Sequence, residues 1–345
     1  MIRDSIEKAV SGKDIPEAQM IETMEEIMGG HATQAQIGAL LVALRMKGES
    51  VEEITAAAKV MRSKSSRIPY KCEDGEFLID TCGTGGDCSN TFNVSTTAAF
   101  VVAGAGVKVA KHGNRSVSSK CGSADLMESL GLPLDLTPDQ VALCICHVGI
   151  GFLFAPILHS AMKYAIGPRR ELGLRTIFNL LGPLTNPAGA QVQLMGVYDD
   201  KMVRPLTHVM ARLGAKKAFV VHGHGGLDEI SLSGPTLVGL AEDGAVSFKY
   251  MEPSDFGLKP EDSVSISGGS AQENVLITRA VLNGEPGSYR DVVLLNAAAA
   301  LLVADRAKTL MEGMALAAFS IDSGAAYNKL EELIKFAKSL QNGGH

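Results

Sequence analysis

Along the first 66 residues apolar positions recur three and four apart, the spacing of amphipathic helices. Three candidate capping boxes punctuate them: Asp14 with Glu17, Thr33 with Gln36, and Ser50 with Glu53. In each, the first side chain accepts from the backbone three residues on and the second reaches back. The run from Ile37 (IGALLVALRM) mixes Gly38, Ala39 and Ala43 with Leu40, Leu41 and Leu44, so it is apolar over more than one stripe and calls for burial on two sides. The centre of a small bundle and a subunit interface both meet that demand.

From Phe77 the pattern changes to short apolar runs alternating with helical stretches. FLID from Phe77, VKVAKHG from Val107, GFLFA from Gly151, VQLMGVY from Val192 and KAFVVHG from Lys217 read as strands. Such alternation predicts an α/β domain with a largely parallel sheet. One antiparallel hairpin is expected in TLVGLAEDGAVSFKYM, with Asp243 and Gly244 at the turn. Between Pro156 and Pro187 the strand signal lapses and helix returns, so this stretch is expected to rejoin the N-terminal helices. The expected layout is a helical domain over residues 1–68, joined by helices from about 159–190, with an α/β domain over 69–158 and 191–345. There is no internal repeat and no low-complexity linker.

Composition narrows the classes. At roughly 150 residues per domain, 345 residues suggest about two domains. Lys and Arg number 32 against 38 Asp and Glu, a formal charge of −6, which argues against a nucleic-acid binder, since such affinity needs clustered cations. Six scattered cysteines make no disulfide framework and suggest a reducing, cytoplasmic setting. The opening MIRDSIEKAV does not resemble a secretory signal, and the richest apolar run, LLNAAAALLVA from Leu294, falls short of the roughly 18 residues a membrane span requires. Glycine is the outlier: 37 residues, about 11% where about 7% is usual, concentrated in loops after apolar runs. That distribution points to ligand sites lined by backbone.

Four segments carry candidate chemistry. In DTCGTGGD, Asp80 to Asp87, the glycines Gly83, Gly85 and Gly86 can turn backbone N–H groups towards an anion, and Asn93, Ser95 and Thr96 follow at a helix start. Strand, glycine loop and hydroxyl-rich helix start suggest a phosphate cradle. It is not a dinucleotide fingerprint, because Cys88 stands at the third glycine position, and it lacks the Lys of a Walker A loop. The segment KHGNRSVSSKCGSAD, Lys111 to Asp125, gathers Lys111, Arg115, Lys120, Asn114 and four serines where a strand should end, a local cation density suited to a polyanionic small molecule.

In HGHGGLDEIS the adjacent acids Asp228 and Glu229 follow a strand and a glycine turn. Hard oxygen ligands in a phosphate-handling chain fit Mg²⁺ shared with substrate phosphates, whereas the plain alternative is a solvated helix start. His222 and His224 are as often loop residues as metal ligands. The fourth segment, from Leu158, brings Arg169, Arg170 and Arg175 close in sequence; an arginine fork suits a planar carboxylate, and any of the three can be the one facing inward. Cys144 and Cys146, two apart on a helix, point in different directions and read as core residues.

With GTGGD, KHGNRSVSS, RTIFNLLGPLTNP and GLDEIS in that order, the sequence resembles the anthranilate phosphoribosyltransferases over most of its length. The resemblance implies a small N-terminal helical domain plus a larger α/β domain with a mostly parallel central sheet, the nucleoside phosphorylase/phosphoribosyltransferase-like architecture. It implies a cleft site, Mg²⁺, and a homodimer formed through the helical domain. Carried over by motif, Gly83, Gly86, Asp87, Thr91, Asn93, Ser95, Thr96, Lys111, Ser119 and Ser123 would hold phosphoribosyl pyrophosphate. Gly83, Asn114, His159 and Arg169 would face anthranilate, and Ser95, Asp228 and Glu229 would organise Mg²⁺. No Asp, Glu or His identifies itself as a general base. The family usually has Ser where this chain has Cys121 and Pro where it has Ser160, departures that bear on loop rigidity and on the mouth of the anthranilate channel. A pyrimidine nucleoside phosphorylase shares the two-domain plan but has a different glycine loop. A nucleic-acid-binding relative should be basic and should lack the paired acids.

Overall fold

The structure, a computed structural model, describes residues 1–73, 75–86, 90–116 and 120–342, and the side chains of 263, 264 and 342 lie outside that description. Four helices come first: α1 (Ile2–Val10), α2 (Glu17–Met28), α3 (Gln34–Lys47) and α4 (Val51–Lys64). Then follow β1 (Leu78–Gly83), α5 (Val94–Gly104), β2 (Lys108–Gly113), α6 (Ser123–Ser129), α7 (Pro138–Val148), β3 (Ile150–Phe154) and the short α8 (Ala155–Leu158). Next are α9 (Lys163–Leu172), α10 (Ile177–Leu184), β4 (Val192–Gly196), α11 (Asp200–Arg212) and β5 (Lys217–His222). The chain closes with β6 (Thr236–Glu242), β7 (Ala245–Met251), α12 (Ala271–Leu282), α13 (Ser288–Val303), α14 (Leu310–Asp322) and α15 (Ala325–Asn342).

Two of the three expected capping boxes form. Gln36 N donates to Thr33 Oγ1 at 3.3 Å and Thr33 N to Gln36 Oε1 at 2.9 Å; Ser50 and Glu53 exchange the same pair at 3.2 and 2.8 Å. The Asp14–Glu17 box does not form. Pro16 is the N-cap of α2, so Asp14 lies outside the first turn and instead accepts from Lys47 Nζ at 2.6 Å. On α3, Ile37, Leu40, Leu41, Ala43 and Leu44 are buried, with α1 and α9 packed against the helix, while Ala39 and Met46 stay exposed, Met46 by 84%. Within one chain only part of the apolar surface of α3 is covered.

The sheet runs β3-β2-β1-β4-β5-β6-β7, with parallel pairing from β3 through β5 and antiparallel pairing for β5–β6 and β6–β7. The β6–β7 hairpin turns at Asp243 and Gly244, φ 46° and 85°, the two left-handed positions of the favoured two-residue turn. Period-two alternation divides the strands between two cores. Leu194, Phe219 and Val221 join the helices α5, α13, α14 and α15 on one face, whereas Met195, Ala218 and Val220 join α11 and the N-terminal helices on the other.

Residues of α9 and α10 (Ala165, Ile177, Phe178, Leu181) share that second core with residues of the N-terminal helices. Arg62 of α4 fastens the junction: its Nε donates to Leu184 O at 2.7 Å and its Nη1 to Leu213 O at 3.2 Å, capping the carbonyl ends of α10 and α11. The apolar run at Leu294 is the interior of α13, buried on all sides from Val292 to Leu301, and among the described residues no helix is long and apolar enough to cross a membrane.

The chain leaves β1 towards β2 and β3 on one side and returns through β4 and β5 on the other. Strand order therefore reverses beside β1, and in open α/β sheets that point, outside the carboxyl ends of the strands, forms a crevice for ligands. Because β1 to β5 are parallel, the loops after all five open at the same edge, and each of the four candidate segments contributes to them.

Candidate active site

The loop after β1 is built for close approach. Thr84 N donates to Gly196 O at 2.9 Å, and Tyr198 N to Thr84 Oγ1 at 3.2 Å, which ties the loop to the end of β4. Gly85 and Gly86 are left-handed, φ 66° and 76°. At Gly83 a Cβ would collide with the Asp228 carboxylate, and at Gly196 with the Asp228 backbone carbonyl. Missing side chains on two neighbouring strands thus open the space that Asp228 fills.

The paired acids reach the cradle. Asp228 Oδ2 accepts from Gly85 N at 2.9 Å, and Glu229 Oε1 accepts from Ser95 N at 3.1 Å in the first turn of α5. Both are half-buried. These acids are not a solvated helix start: they answer two donors of the glycine loop and helix terminus, where the dipole favours negative charge. With the Ser95 hydroxyl alongside, the donor set is hard oxygen throughout. Among the described residues no three Asp, Glu, His or Cys side chains form a ready-made metal cage, so a cation here would complete its shell from substrate and water oxygens.

Lys111 faces the same space from β2. It is only 3% exposed; its ammonium donates to Thr81 O and, at 3.3 Å, to Ser95 Oγ. The Thr96 hydroxyl beside it is buried with no partner among the described residues, and an unmet polar group of this kind costs about 1–3 kcal/mol. Asn93 links the helix start to the second loop: its Nδ2 donates to Cys121 O and its Oδ1 accepts from Cys121 Sγ, both at 3.3 Å, while Asn274 Oδ1 accepts from Asn93 N at 3.1 Å. Thr91 is bridged to Ser267. Asn114 and Ser123 face each other across the second loop, Asn114 N donating to Ser123 Oγ at 3.2 Å. Asp87 and Ser119 lie outside the described residues.

The cationic reading of the second loop needs correcting at Arg115. Its guanidinium pairs with Glu128 at 2.7 Å and Asp125 at 3.1 Å, and Asp125 also accepts from Ser116 N and Gly122 N, so this arginine shapes the loop and its charge is neutralised locally. The buried cation that faces the cradle is Lys111.

Neighbouring residues on β2 point to opposite faces, so His112 turns away from Lys111 towards α10. Its Nδ1 lies 3.1 Å from Gly182 O and its Nε2 3.2 Å from His159 Nε2. Both imidazoles are buried, which pushes His112 down to about 3, with His159 and Lys111 adding to the effect, and His159 down to about 4. Of the three arginines, Arg170 is exposed and the other two are half-buried. Arg169 stacks on Phe178 at 5.3 Å, and burial lowers its pKa; Arg175 stacks on Tyr198 at 4.1 Å and lies against Gly86. His222 Nδ1 sits 2.8 Å from Val197 O, a structural contact. Cys144 is buried and Cys146 exposed.

Four supports escaped sequence reasoning. Asn296, wholly buried in α13, pins Ile230 directly behind the paired acids; Asn274 holds the Asn93 backbone; Asp80 accepts from His112 N at 3.1 Å and Asn186 Nδ2 at 2.8 Å; and His112 itself backs His159. Asn296 had a visible signal, as the single polar residue inside the apolar run at Leu294. His112 had one in strand alternation beside Lys111. Asn274 and Asp80 had none.

Comparison with known proteins places this arrangement in a class. Residues 3–65 match the helical bundle domain of the glycosyl transferase family and residues 75–327 its a/b domain, so the fold and site are those of a two-domain glycosyl transferase. A curated anthranilate phosphoribosyltransferase of Symbiobacterium thermophilum is 57% identical, covering 97% of this chain and 98% of the relative; that of Moorella thermoacetica is 55% identical, covering 98% and 99%. The chain belongs to the anthranilate phosphoribosyltransferase family. The crystal structure of the Thermus thermophilus enzyme superposes with a TM-score of 0.90 at 40% identity, over 97% of this chain and 99% of that one. The Saccharomyces cerevisiae enzyme in complex with phosphoribosyl pyrophosphate and Mg gives 0.88 at 29%, over 98% of each chain.

Proposed function

We propose that this chain transfers the phosphoribosyl group of 5-phosphoribosyl 1-diphosphate to the amino group of anthranilate, giving N-(5-phosphoribosyl)anthranilate and pyrophosphate, in tryptophan biosynthesis. The observation that carries the reading is the pairing of Asp228 and Glu229 with the N–H groups of Gly85 and Ser95, which joins two hard acids to a phosphate cradle. In this reading Gly83, Gly86, Asp87, Thr91, Asn93, Ser95, Thr96, Lys111, Ser119 and Ser123 bind the donor, and Gly83, Asn114, His159 and Arg169 face anthranilate.

The residues at hand fit Mg²⁺, which Ser95, Asp228 and Glu229 would hold. When bound it would offset charge on the departing pyrophosphate. The chain's own part is binding and alignment. Lys111 brings a buried positive charge to the cradle, the first turn of α5 adds its dipole, and Arg169, held against Phe178, presents a fork to the acceptor's carboxylate. The aniline nitrogen then attacks the anomeric carbon from the face opposite the leaving group. No acid or base of the chain is assigned a proton transfer.

The partly uncovered α3, with Ala39 and Met46 exposed, supports a homodimer through the helical domain, and the thiols of Cys72, Cys82, Cys121, Cys144 and Cys146 support a cytoplasmic setting. The division into a helical domain (1–68 with 159–190) and an α/β domain (69–158 and 191–345) is proposed on the same footing. Purified protein should consume anthranilate fluorescence only with both Mg²⁺ and phosphoribosyl pyrophosphate present, releasing an equal amount of pyrophosphate. Release of free base from thymidine or uridine with inorganic phosphate, and no loss of anthranilate, would overturn the reading.

A further inference from the structure

We infer that the Gly182 carbonyl, acting through His112, holds His159 in the tautomer that offers Nδ1 as a hydrogen-bond acceptor to the amino group of the acceptor substrate. The inference rests on the reading that His159 faces anthranilate and goes beyond it, by assigning the atom, its protonation and the residue that enforces it.

The chain of donors begins at a group with no choice. A backbone carbonyl only accepts, so the 3.1 Å contact between Gly182 O and His112 Nδ1 places a proton on Nδ1. Burial keeps His112 neutral, so its Nε2 is a bare lone pair. The 3.2 Å contact between the two Nε2 atoms then requires His159 to donate. His159 is neutral for the same reason, and its second nitrogen, Nδ1, is left unprotonated. A charged ring in the pair is disfavoured twice over, because each imidazole is buried and Lys111 lies close by.

That free nitrogen is open. Among the described residues the hydroxyls of Thr96 and Thr176 are the buried side-chain polar atoms without a partner. His159 Nδ1 has no hydrogen-bond partner among the described residues either and is not one of these sealed atoms, so it keeps some exposure. His159 lines a small cleft with Met28, Met61, Lys64, Ala161 and Met162, where α2 and α4 meet the segment before α9. Three methionines and an alanine around one acceptor nitrogen suit the ring and amino group of a small aromatic amine, the Lys64 ammonium being held by Glu25 at 2.6 Å.

The tautomer matters because the nucleophile has one lone pair. A ring N–H directed at the aniline nitrogen would engage that lone pair, and an acceptor engages only its N–H and leaves it free for the anomeric carbon. An acceptor is also the wrong partner for a carboxylate, which leaves that group to Arg169 and fixes which way round the substrate enters. His112 is thus a positioning residue.

The first test needs only folded wild-type protein labelled with ¹⁵N-histidine. Long-range ¹⁵N–¹H spectra at pH 7, assigned by the resonances lost in His159→Gln, should show His159 protonated at Nε2 and bare at Nδ1; a proton on Nδ1, or a charged ring, overturns the proposal. The second test is kinetic. His112→Phe removes the acceptor opposite His159 and should lower kcat/KM for anthranilate roughly tenfold with little change in the KM of phosphoribosyl pyrophosphate, whereas His112→Gln, whose amide oxygen can accept from Nε2, should recover most of the loss. Equal defects in the two variants would mean that His112 acts only by filling space. If wild-type protein converts no anthranilate, the amino-group assignment falls with the functional reading, and the spectrum still decides the tautomer.

Discussion

Asn296 and Ile230 are joined by two hydrogen bonds: Asn296 Oδ1 accepts from Ile230 N at 2.9 Å and Asn296 Nδ2 donates to Ile230 O at 3.0 Å. Both residues are buried, and the grip falls on the residue directly after Glu229. Asn296→Ala should therefore leave a buried N–H and C=O without partners and destabilise the fold by about 2–4 kcal/mol, read from the urea midpoint. In the folded fraction, the Mg²⁺ concentration for half-maximal activity should rise, because the backbone behind the acids is loosened. A variant with normal stability would show that Ile230 finds other partners.

Changing Asp228 and Glu229 together to Asn and Gln keeps size and removes both charges. Turnover should fall by at least about tenfold with an altered Mg²⁺ titration and an unchanged circular dichroism spectrum. An identical Mg²⁺ titration would remove these acids from the metal assignment.

Arg169 stacks on Phe178, and its burial makes an unpaired guanidinium costly, so an acceptor carboxylate is a fitting partner. Loss of a charge-assisted contact of about 1.5–3 kcal/mol in Arg169→Ala should weaken anthranilate use roughly 10- to 150-fold. Arg169→Lys should restore little, since an ammonium lacks the planar fork. The KM of phosphoribosyl pyrophosphate is expected to stay within about twofold. A matching loss for the donor would assign Arg169 to the phosphate side.

The two buried histidines set a pH limit. Each holds its proton less tightly in the folded chain, His112 at about 3 and His159 at about 4, than the ordinary 6.5. Between those values the unfolded chain binds protons the folded chain refuses, so stability present above pH 6.5 is lost as pH falls towards 4. Asp80, whose burial raises its pKa, works in the opposite direction, and the cation nearby is Lys111. Urea midpoints at pH 7.5, 6 and 5 should decline more gently in His159→Gln than in wild type. The same slope in both would mean that His159 is not the source.

Burial pushes the Cys121 thiol up to about 11, so it is a neutral S–H at physiological pH, donating to Asn93 Oδ1 at 3.3 Å. Cys121→Ser keeps a donor of similar size at the same place. Activity within about threefold of wild type is expected, together with slow alkylation of the wild-type thiol. Abolished activity in folded Cys121→Ser would reveal a role for sulfur.

Much of the architecture was legible because it rests on local periodicity. The helices around Thr33 and Ser50, the five parallel strands and the Asp243–Gly244 turn all follow from spacing and turn chemistry that act within a few residues. Asp14 misled for an equally local reason: a proline two residues later governs where α2 begins. The cradle was legible too, as glycines between a strand and a hydroxyl-rich helix start. The segment from Lys111 was legible as polar but not as shaped, since Glu128, which pairs with Arg115, stands outside the loop.

The sequence by itself determined the element types, the two-domain plan and the residue kinds a phosphate site needs, because dihedral preference, amphipathic period and glycine placement are encoded along the chain. Only the tertiary structure decided which groups meet. Asp228 reaches Gly85 across 143 positions and Glu229 reaches Ser95 across 134; Arg169 and Arg175 are half-buried while Arg170 stays exposed; His112 is joined to His159 and Gly182. These pairings depend on strand order and on two helical segments folding back over one face of the sheet. No short-range pattern carries that information, since contacts between distant residues are selected by the packing of the whole chain.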